Sequence, residues 1–297
     1  MPGDAPATTT LYILGTSQDG GYPQMGCARD CCRAQWTAAS SQQAQYVACL
    51  GLFDPGANAR WLFEATPDIK EQWHLFSSLT AADGDGAPDG IFLTHAHMGH
   101  YLGLAQLGFE SMNARNVPVY AMPRMKSYLE SNGPWSQLVG YHNIDVQPLQ
   151  DQTPVTLASH ISVTPFMVPH RDEFSETVGY SIRVGVSSVA FIPDIDKWSK
   201  WNHSIDSLVR AHTYLLVDGT FYDGHELPNR DIAQVPHPLI SETMEQLKAL
   251  PTELKDRIYF IHFNHTNPVW QPGSEASRAI GTNGFHVARQ GMAFNLE

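Results

Sequence analysis

Three histidines, His95, His97 and His100, stand at i, i+2 and i+5 directly after the apolar run Ile91-Phe92-Leu93. Imidazole is the commonest protein ligand for zinc and for iron-like metals. The end of a strand holds two alternate side chains on one side, so His95 and His97 can converge on one ion. His100 falls in the following turn and can face a second ion. Solvated loop histidines would not need a buried strand leading straight into them, and the apolar run reads as such a strand.

The theme recurs along the chain. Predicted strands over 161–168, 187–192 and 257–261 run out at His170, Asp194 and His262. Strands of one sheet system bring their ends together, so these groups can share a cleft. A buried carboxylate such as Asp194 needs a charge partner, which cations would supply. Three of the four cysteines, Cys27, Cys31 and Cys32, crowd one short loop. Adjacent cysteines pair poorly as disulfides, so the cluster suits thiolate ligation better, with reduced buried thiols as the alternative. Cys49 lies in a predicted strand and reads as a small core residue.

Positioning these groups requires a layered α/β chain. Strands are expected over 11–15, 45–53, 60–64, 89–95, 117–121, 178–184 and 213–217 as well, with a turn at Asp54-Pro55-Gly56. Thr66-Pro67-Asp68 predicts a helix capped by Thr66, whose Ile69, Trp73 and Phe76 form a core face. Further helices are expected over 99–113, packed through Leu102, Leu104, Leu107 and Phe109, over 123–130, and over 239–250 before Pro251. Residues 1–10 read as a disordered tail and 11–297 as a single domain without repeats.

With 297 residues, 42% of them hydrophobic and 16% charged, the chain suits one large packed domain. Its 30 acidic against 18 basic residues argue against an overall nucleic-acid surface. No apolar stretch approaches the roughly 18 residues of a membrane helix. The start of the chain shows no basic and apolar leader, so a cytoplasmic location is expected, with a leader removed beforehand left open.

The His-x-His-x-x-His loop, the strand-end His170, Phe191-Ile192-Pro193-Asp194 and the strand-end His262 together resemble the metallo-β-lactamase-fold superfamily. Within it, the chain is most similar to the pyrroloquinoline-quinone biosynthesis protein B group and to the phosphoribosyl cyclic phosphodiesterases. That similarity rests on Leu14-Gly15-Thr16, Gly20-Gly21-Tyr22-Pro23-Gln24, Ala65-Thr66-Pro67-Asp68-Ile69, Val217-Asp218-Gly219-Thr220-Phe221 and His262-Phe263-Asn264-His265-Thr266-Asn267-Pro268. The resemblance implies a four-layer αβ/βα sandwich with metals at one edge of two facing sheets. It implies that His95, His97 and His170 hold a first metal, that His100 and His262 hold a second, and that Asp194 bridges them. A water acidified by both cations would be the nucleophile.

One departure stands out. Where the family loop carries a metal-ligating Asp, this chain has Gly99, and Asp19 in the glycine-rich first loop is a candidate replacement. The related families also carry a Cys-x-Cys-x-x-Cys zinc knuckle. Here Cys27 and Cys32 fit its outer positions, Arg29 occupies the middle one, and Cys31 would supply the missing sulfur, with His265 as fourth ligand. The resemblance further points to His237 as proton donor to the leaving group, with His225 and His74 as weaker candidates. Tyr22, Tyr101, Trp135, Phe221 and Tyr222 flank the ligand loops as candidate pocket residues.

The reading is a metal-dependent hydrolase of a phosphodiester or lactone in a small-molecule substrate. Its cofactors would be one or two zinc ions in the active site, with manganese or ferrous iron as alternatives, and one structural zinc. An iron-dependent oxygenase, suggested by the quinone-biosynthesis group and the Asn-x-Thr-Asn-Pro segment, and a non-catalytic metal-binding homologue are the competing readings. No membrane or nucleic-acid partner is expected, and a homodimer stays open.

Overall fold

The computed structural model describes residues 7–36, 45–81, 86–227, 230–271 and 273–297. Two seven-stranded mixed sheets form its centre. The first contains β1 (Thr10–Gly15), β2 (Cys49–Asp54), β3 (Ala59–Phe63), β4 (Gly90–Phe92), β5 (Val117–Ala121) and β6 (Ile144–Pro148). The second contains β7 (Val155–Ala158), β8 (Ile161–Met167), β9 (Val178–Val184), β10 (Ser187–Ile192), β11 (Tyr214–Asp218), β12 (Ile258–Ile261) and β13 (His286–Val287). The last strand, β14 (Ala293–Asn295), returns to the first sheet beside β1.

In the first sheet β1, β2 and β3 pair antiparallel, and β3 through β6 pair parallel. In the second, β7 through β10 pair antiparallel, and β10 through β13 pair parallel. Parallel strands are covered on both faces and so read as continuous apolar runs. β1, β2 and β3 are buried at every position because alternate residues enter the core between the sheets and the outer core of the first sheet. The core between the sheets joins Leu11, Leu50, Phe63 and Phe92 to Val163, Tyr180, Phe191 and Leu216. Phe92 is fully buried and stacks on Phe63 at 5.1 Å and Tyr120 at 4.3 Å. Truncating such a side chain typically costs about 3–5 kcal/mol. Two outer cores bury the helices of each sheet's far face, completing four layers.

The site-bearing strands share one direction. β1, β3, β4, β8, β10, β11 and β12 all discharge their carboxyl ends at the same edge, where Asp19, Glu64, His95, His170, Asp194, Asp218 and His262 follow. This is the end of a parallel sheet at which ligands ordinarily bind. The two sheets are stitched together there. Ser17 bridges both Val47 and Phe263, Gln18 N–H donates to Phe263 O at 2.9 Å, and Val178 N–H donates to Thr94 O at 3.2 Å.

Several expectations need correction. The helix expected over 99–113 is a single turn at Met98–Tyr101 followed by a 3-10 segment, Leu102–Leu107. A side chain at Gly103 would stand 2.0 Å from Thr66 O, so backbone packs on backbone there. Leu104 and Leu107 are buried as expected, but Phe109 is 63% exposed. The helix at 69 is preceded by Asp68, not Thr66, at its cap; Thr66 Oγ1 accepts from Asp68 N–H instead. The helix before Pro251 is shorter, Ile240–Gln246. Thr10 already lies in β1, while residues 1–6 of the expected tail fall outside the described residues. No helix among the described residues is long and apolar enough to cross a membrane.

Candidate metal centre

Four donor atoms converge at the mouth of the second sheet. His95 Nε2 lies 2.7 Å from His97 Nδ1 and 3.4 Å from Asp194 Oδ2. His170 Nε2 lies 3.3 Å from both His97 Nδ1 and Asp194 Oδ2. Donors around a tetrahedral ion with bonds of about 2.1 Å stand about 3.4 Å apart; the Asp194 contacts to His95 and His170 and the His97–His170 contact match this, while His95–His97 is shorter and His97–Asp194, at 3.9 Å, is longer. Beside it, His100 Nε2 lies 3.1 Å from Asp19 Oδ1 and 3.8 Å from Asp194 Oδ2, and His262 Nε2 lies 3.6 Å from Asp19 Oδ1. Asp194 thus faces both sets. Asp19 Oδ1, His100 Nε2 and His262 Nε2 are buried without a hydrogen-bond partner among the described residues. Buried orphan acceptors of this kind are rare unless something binds them. The chemistry of the donors, neutral imidazoles and carboxylates, suits zinc, manganese or ferrous iron.

A second layer aims the imidazoles. His95 Nδ1 stands 2.9 Å from Thr94 Oγ1, whose O–H donates to the buried Glu64 carboxylate. His100 Nδ1 faces Glu64 Oε1 at 3.1 Å. His262 Nδ1 stands 3.0 Å from Thr220 Oγ1, whose O–H donates to Asp218 Oδ1 at 2.7 Å. His97 Nε2 stands 3.0 Å from Glu173 Oε2. At His95, His97 and His262 these contacts draw the proton to the outer ring nitrogen and leave the inner lone pair for a cation, the usual carboxylate–histidine–metal arrangement, while His100 Nδ1 lies beside Glu64 without a hydrogen bond. Glu64 and His262 hold φ values of +86° and +67°, strained for side-chain-bearing residues. Glu64, Thr94, Thr220 and Asp218 were not singled out as site residues from sequence. The signal that found His95, a polar residue directly after a buried strand, applies equally to Glu64 and Asp218.

The charges respond as a crowded site should. Burial and the neighbouring His100 push His95 well below the ordinary histidine range. Burial opposes the ionisation of Asp194, yet the charges on His170, His237 and His262 hold its carboxyl well below the usual range. Burial also lowers His100, but Glu64 and Asp19 outweigh it and raise it well above 6.5.

Residues 59–263 match the family model of the beta-lactamase superfamily domain. The chain belongs to this superfamily. It is 26% identical over 310 aligned positions to coenzyme PQQ synthesis protein B of Xanthomonas campestris pv. campestris (strain B100), covering 96% of this chain and 99% of that protein. Zn(2+)-bound PqqB from Methylobacterium extorquens superimposes with a TM-score of 0.78 at 21% identity, over 97% of this chain and all of the other. A diphosphatase from the PhnP family superimposes with a TM-score of 0.66 at 21% identity, over 96% of each chain. The architecture is the metallo-β-lactamase fold, as the sequence resemblance implies.

In this superfamily member the cysteine cluster is brought to the final histidine loop. Cys27 Sγ lies 3.7 Å from Cys31 Sγ, and His265 Nδ1 lies 3.8 Å from Cys31 Sγ and 3.4 Å from Cys32 Sγ. Edges of a tetrahedral zinc thiolate site are about 3.8 Å for bonds of 2.3 Å. Tyr22 braces the knuckle: its O–H donates to Cys31 O at 2.8 Å and its ring stacks on Trp270 at 4.5 Å. Burial raises the Cys27 thiol, but hydrogen bonds from Arg29 and the neighbouring thiols together outweigh it and pull the thiol down to about 7. The asparagines of the same loop brace it, and Asn264 also lines the cavity beside His237. Asn267 donates to Gly219 O and Thr220 O, and Asn264 accepts from Thr266 N–H.

His237 lies between the metal centre and a cavity of about 700 Å3 that it helps to line. Its Nδ1 stands 2.9 Å from Asp218 Oδ2 and 3.1 Å from Asp194 Oδ1. Burial lowers His237, but the charges of Asp218 and Asp194 prevail and raise it to about 10. Asp194, Asp218 and His237 also cluster closely. Asp218 already accepts from Thr220, Ile195 and His237, so this group reads as a hydrogen-bond node. Arg29, Arg171, Lys200 and Arg230 line the cavity, against Asp196 and Glu226. In a chain of net charge −12 this is a local reversal of sign.

The remaining candidates fall elsewhere. Of the five aromatics, Phe221 lines the cavity. Tyr101 and Trp135 pack with Tyr128, and Tyr222 packs against the outer core of the second sheet. His225 is 91% exposed at its side chain, and His74 sits on the surface of its helix.

Proposed function

We propose that the chain is a metallohydrolase that cleaves an anionic ester, a phosphodiester foremost, in a small-molecule substrate. The observation that carries this reading is the pair of donor sets sharing Asp194 beside a cavity lined by four basic residues. Cations bound in such sets supply Lewis acidity and an activated water at neutral pH. The chain's own residues do the rest. Arg29, Arg171 and Arg230 favour a negatively charged substrate over a neutral lactone. His237, charged and held by Asp218, offers a proton on the cavity side for the leaving oxygen. Glu64, Thr94 and Thr220 keep the ligand imidazoles in their tautomers.

The test is a substrate panel on zinc- or manganese-loaded protein. Hydrolysis of bis(p-nitrophenyl) phosphate, abolished by chelation, is expected, with neutral lactones turned over at least about tenfold less well. A fully loaded protein that cleaves lactones but no phosphodiester overturns the substrate assignment. The full-length likeness to coenzyme PQQ synthesis protein B carries a second reading, an iron-dependent oxygenase. Iron bound in the histidine sets with oxygen-dependent turnover would put that reading first. In the Asn-x-Thr-Asn-Pro segment Asn267 braces the loop, while Asn264 and Thr266 line the cavity.

Cys27, Cys31, Cys32 and His265 are assigned to a closed structural zinc. Cys32→Ser is expected to lose about one zinc per chain and to lower Tm by about 5–10 °C. Metal analysis and thermal melts check this, and a variant that keeps its full zinc complement contradicts it.

A further inference from the structure

The geometry points to Asp19 as the carboxylate ligand of the second metal, seated in the space that Gly99 leaves open, so that positions 19 and 99 act as one exchangeable pair. This rests on the metal-centre reading and goes beyond it by moving a ligand from the histidine loop to a loop distant in sequence. A Cβ built on Gly99 would lie 2.2 Å from Asp19 Oδ1 and 2.6 Å from Asp19 Cα. No side chain fits at position 99 while Asp19 holds its place, so the glycine is a steric requirement of this arrangement. The carboxylate is not there by accident of a loose loop. Thr16 and Gln18 are tied to Phe263 through Phe263 N–H donating to Thr16 O at 2.8 Å and Gln18 N–H donating to Phe263 O at 2.9 Å. That pairing sets Asp19 beside His262.

An independent observation supports a ligand between them. His100 and His262 are fully buried, and their Nε2 atoms have no hydrogen-bond partner among the described residues. Both aim at Asp19 Oδ1, at 3.1 Å and 3.6 Å. These separations bracket the roughly 3.4 Å expected between two donors of a tetrahedral ion with bonds of about 2.1 Å.

The experiment compares metal content and zinc affinity in the wild type, Asp19→Ala, Asp19→Asn and the exchange variant Asp19→Gly/Gly99→Asp. Content is read by elemental analysis, affinity by competition with a chromophoric chelator, and folding by circular dichroism. The wild type is expected to hold about three metals, one at the cysteines and one in each of the two histidine sets around Asp194 and Asp19. Asp19→Ala is expected to lose one of them, with affinity at the second set weakened more than about 100-fold, beyond what an outer-layer contact delivers. Asp19→Asn keeps the side-chain shape and should show the same loss if the alanine variant does not fold. The exchange variant should recover the third metal, because the carboxylate returns from the other loop. Three metals at unchanged affinity in both Asp19 variants would overturn the assignment. So would loss in those variants with no recovery in a folded exchange variant. A wild type that binds only the metal of the cysteine site, with the histidine sets empty at saturating zinc, would instead overturn the metal-centre reading beneath it.

Discussion

Asp194→Ala is expected to leave a folded chain that keeps the cysteine-bound metal, loses the others, and hydrolyses phosphodiesters at least about 10³-fold more slowly. A factor of that size is about 4 kcal/mol of transition-state stabilisation. The reasoning starts from position. Asp194 follows β10, is almost wholly buried, and presents one oxygen to His95, His97, His170 and His100. It is the carboxylate common to both donor sets, so its loss weakens both at once. Removing this buried anion also leaves bound cations with less compensating charge, which makes holding two of them there costlier. Elemental analysis beside kcat/KM checks the expectation. A variant that retains both centre metals yet loses activity would assign Asp194 a role after binding; one that retains both metals and activity would remove it from the centre.

The ligand-bearing edge is legible in the sequence because it obeys a local rule. His95, His97, His170, Asp194 and His262 each follow a buried apolar run, and the fold brings those strand ends together. The hairpin of β9 and β10 falls on its expected residues for the same reason, mostly buried apolar runs within clear bounds. What was not legible depends on contacts between distant segments. Glu64 becomes a buried partner of Thr94 and His100 through a left-handed turn at its own backbone. Asp19 could be named from its glycine-rich loop, but its seat against Gly99 is set by the pairing of residues 16–18 with Phe263. The apolar spacing at Leu104 and Leu107 reads as one long helix, yet the close approach of Gly103 to Thr66 and the exposed Phe109 show a short turn and a 3-10 segment. The edge strands β6 and β7 were missed because they are short and only partly buried, and β6 carries Asp145 and Pro148.

Where Asp194→Ala should strip metal, His237→Asn is expected to leave the metal content unchanged and lower kcat by about 10² to 10⁴, with KM little altered. That split is the signature of a group acting on the proton of the leaving oxygen and not on the cations. His237 qualifies by place, lining the cavity with its Nδ1 turned back to Asp218. It qualifies by charge, since Asp218 and Asp194 together raise it to about 10 despite burial. Cations on Asp194 would cancel part of that support and leave Asp218 as the main source. Removing the Asp218 charge destabilises the imidazolium, so its pKa falls and the protonated form is lost at lower pH. Asp218→Asn should therefore move the alkaline limb of the kcat profile downward in pH. Asp218 also accepts from Thr220 and Ile195, so some loss of stability will accompany the shift. An alkaline limb that stays in place in folded Asp218→Asn, or a His237→Asn enzyme with undiminished kcat, would place the proton donor elsewhere in the cavity. A substrate with a leaving group too acidic to need protonation, such as a dinitrophenyl ester, should be far less sensitive to His237→Asn. If both ester classes slow equally, His237 is positioning the site and not donating the proton.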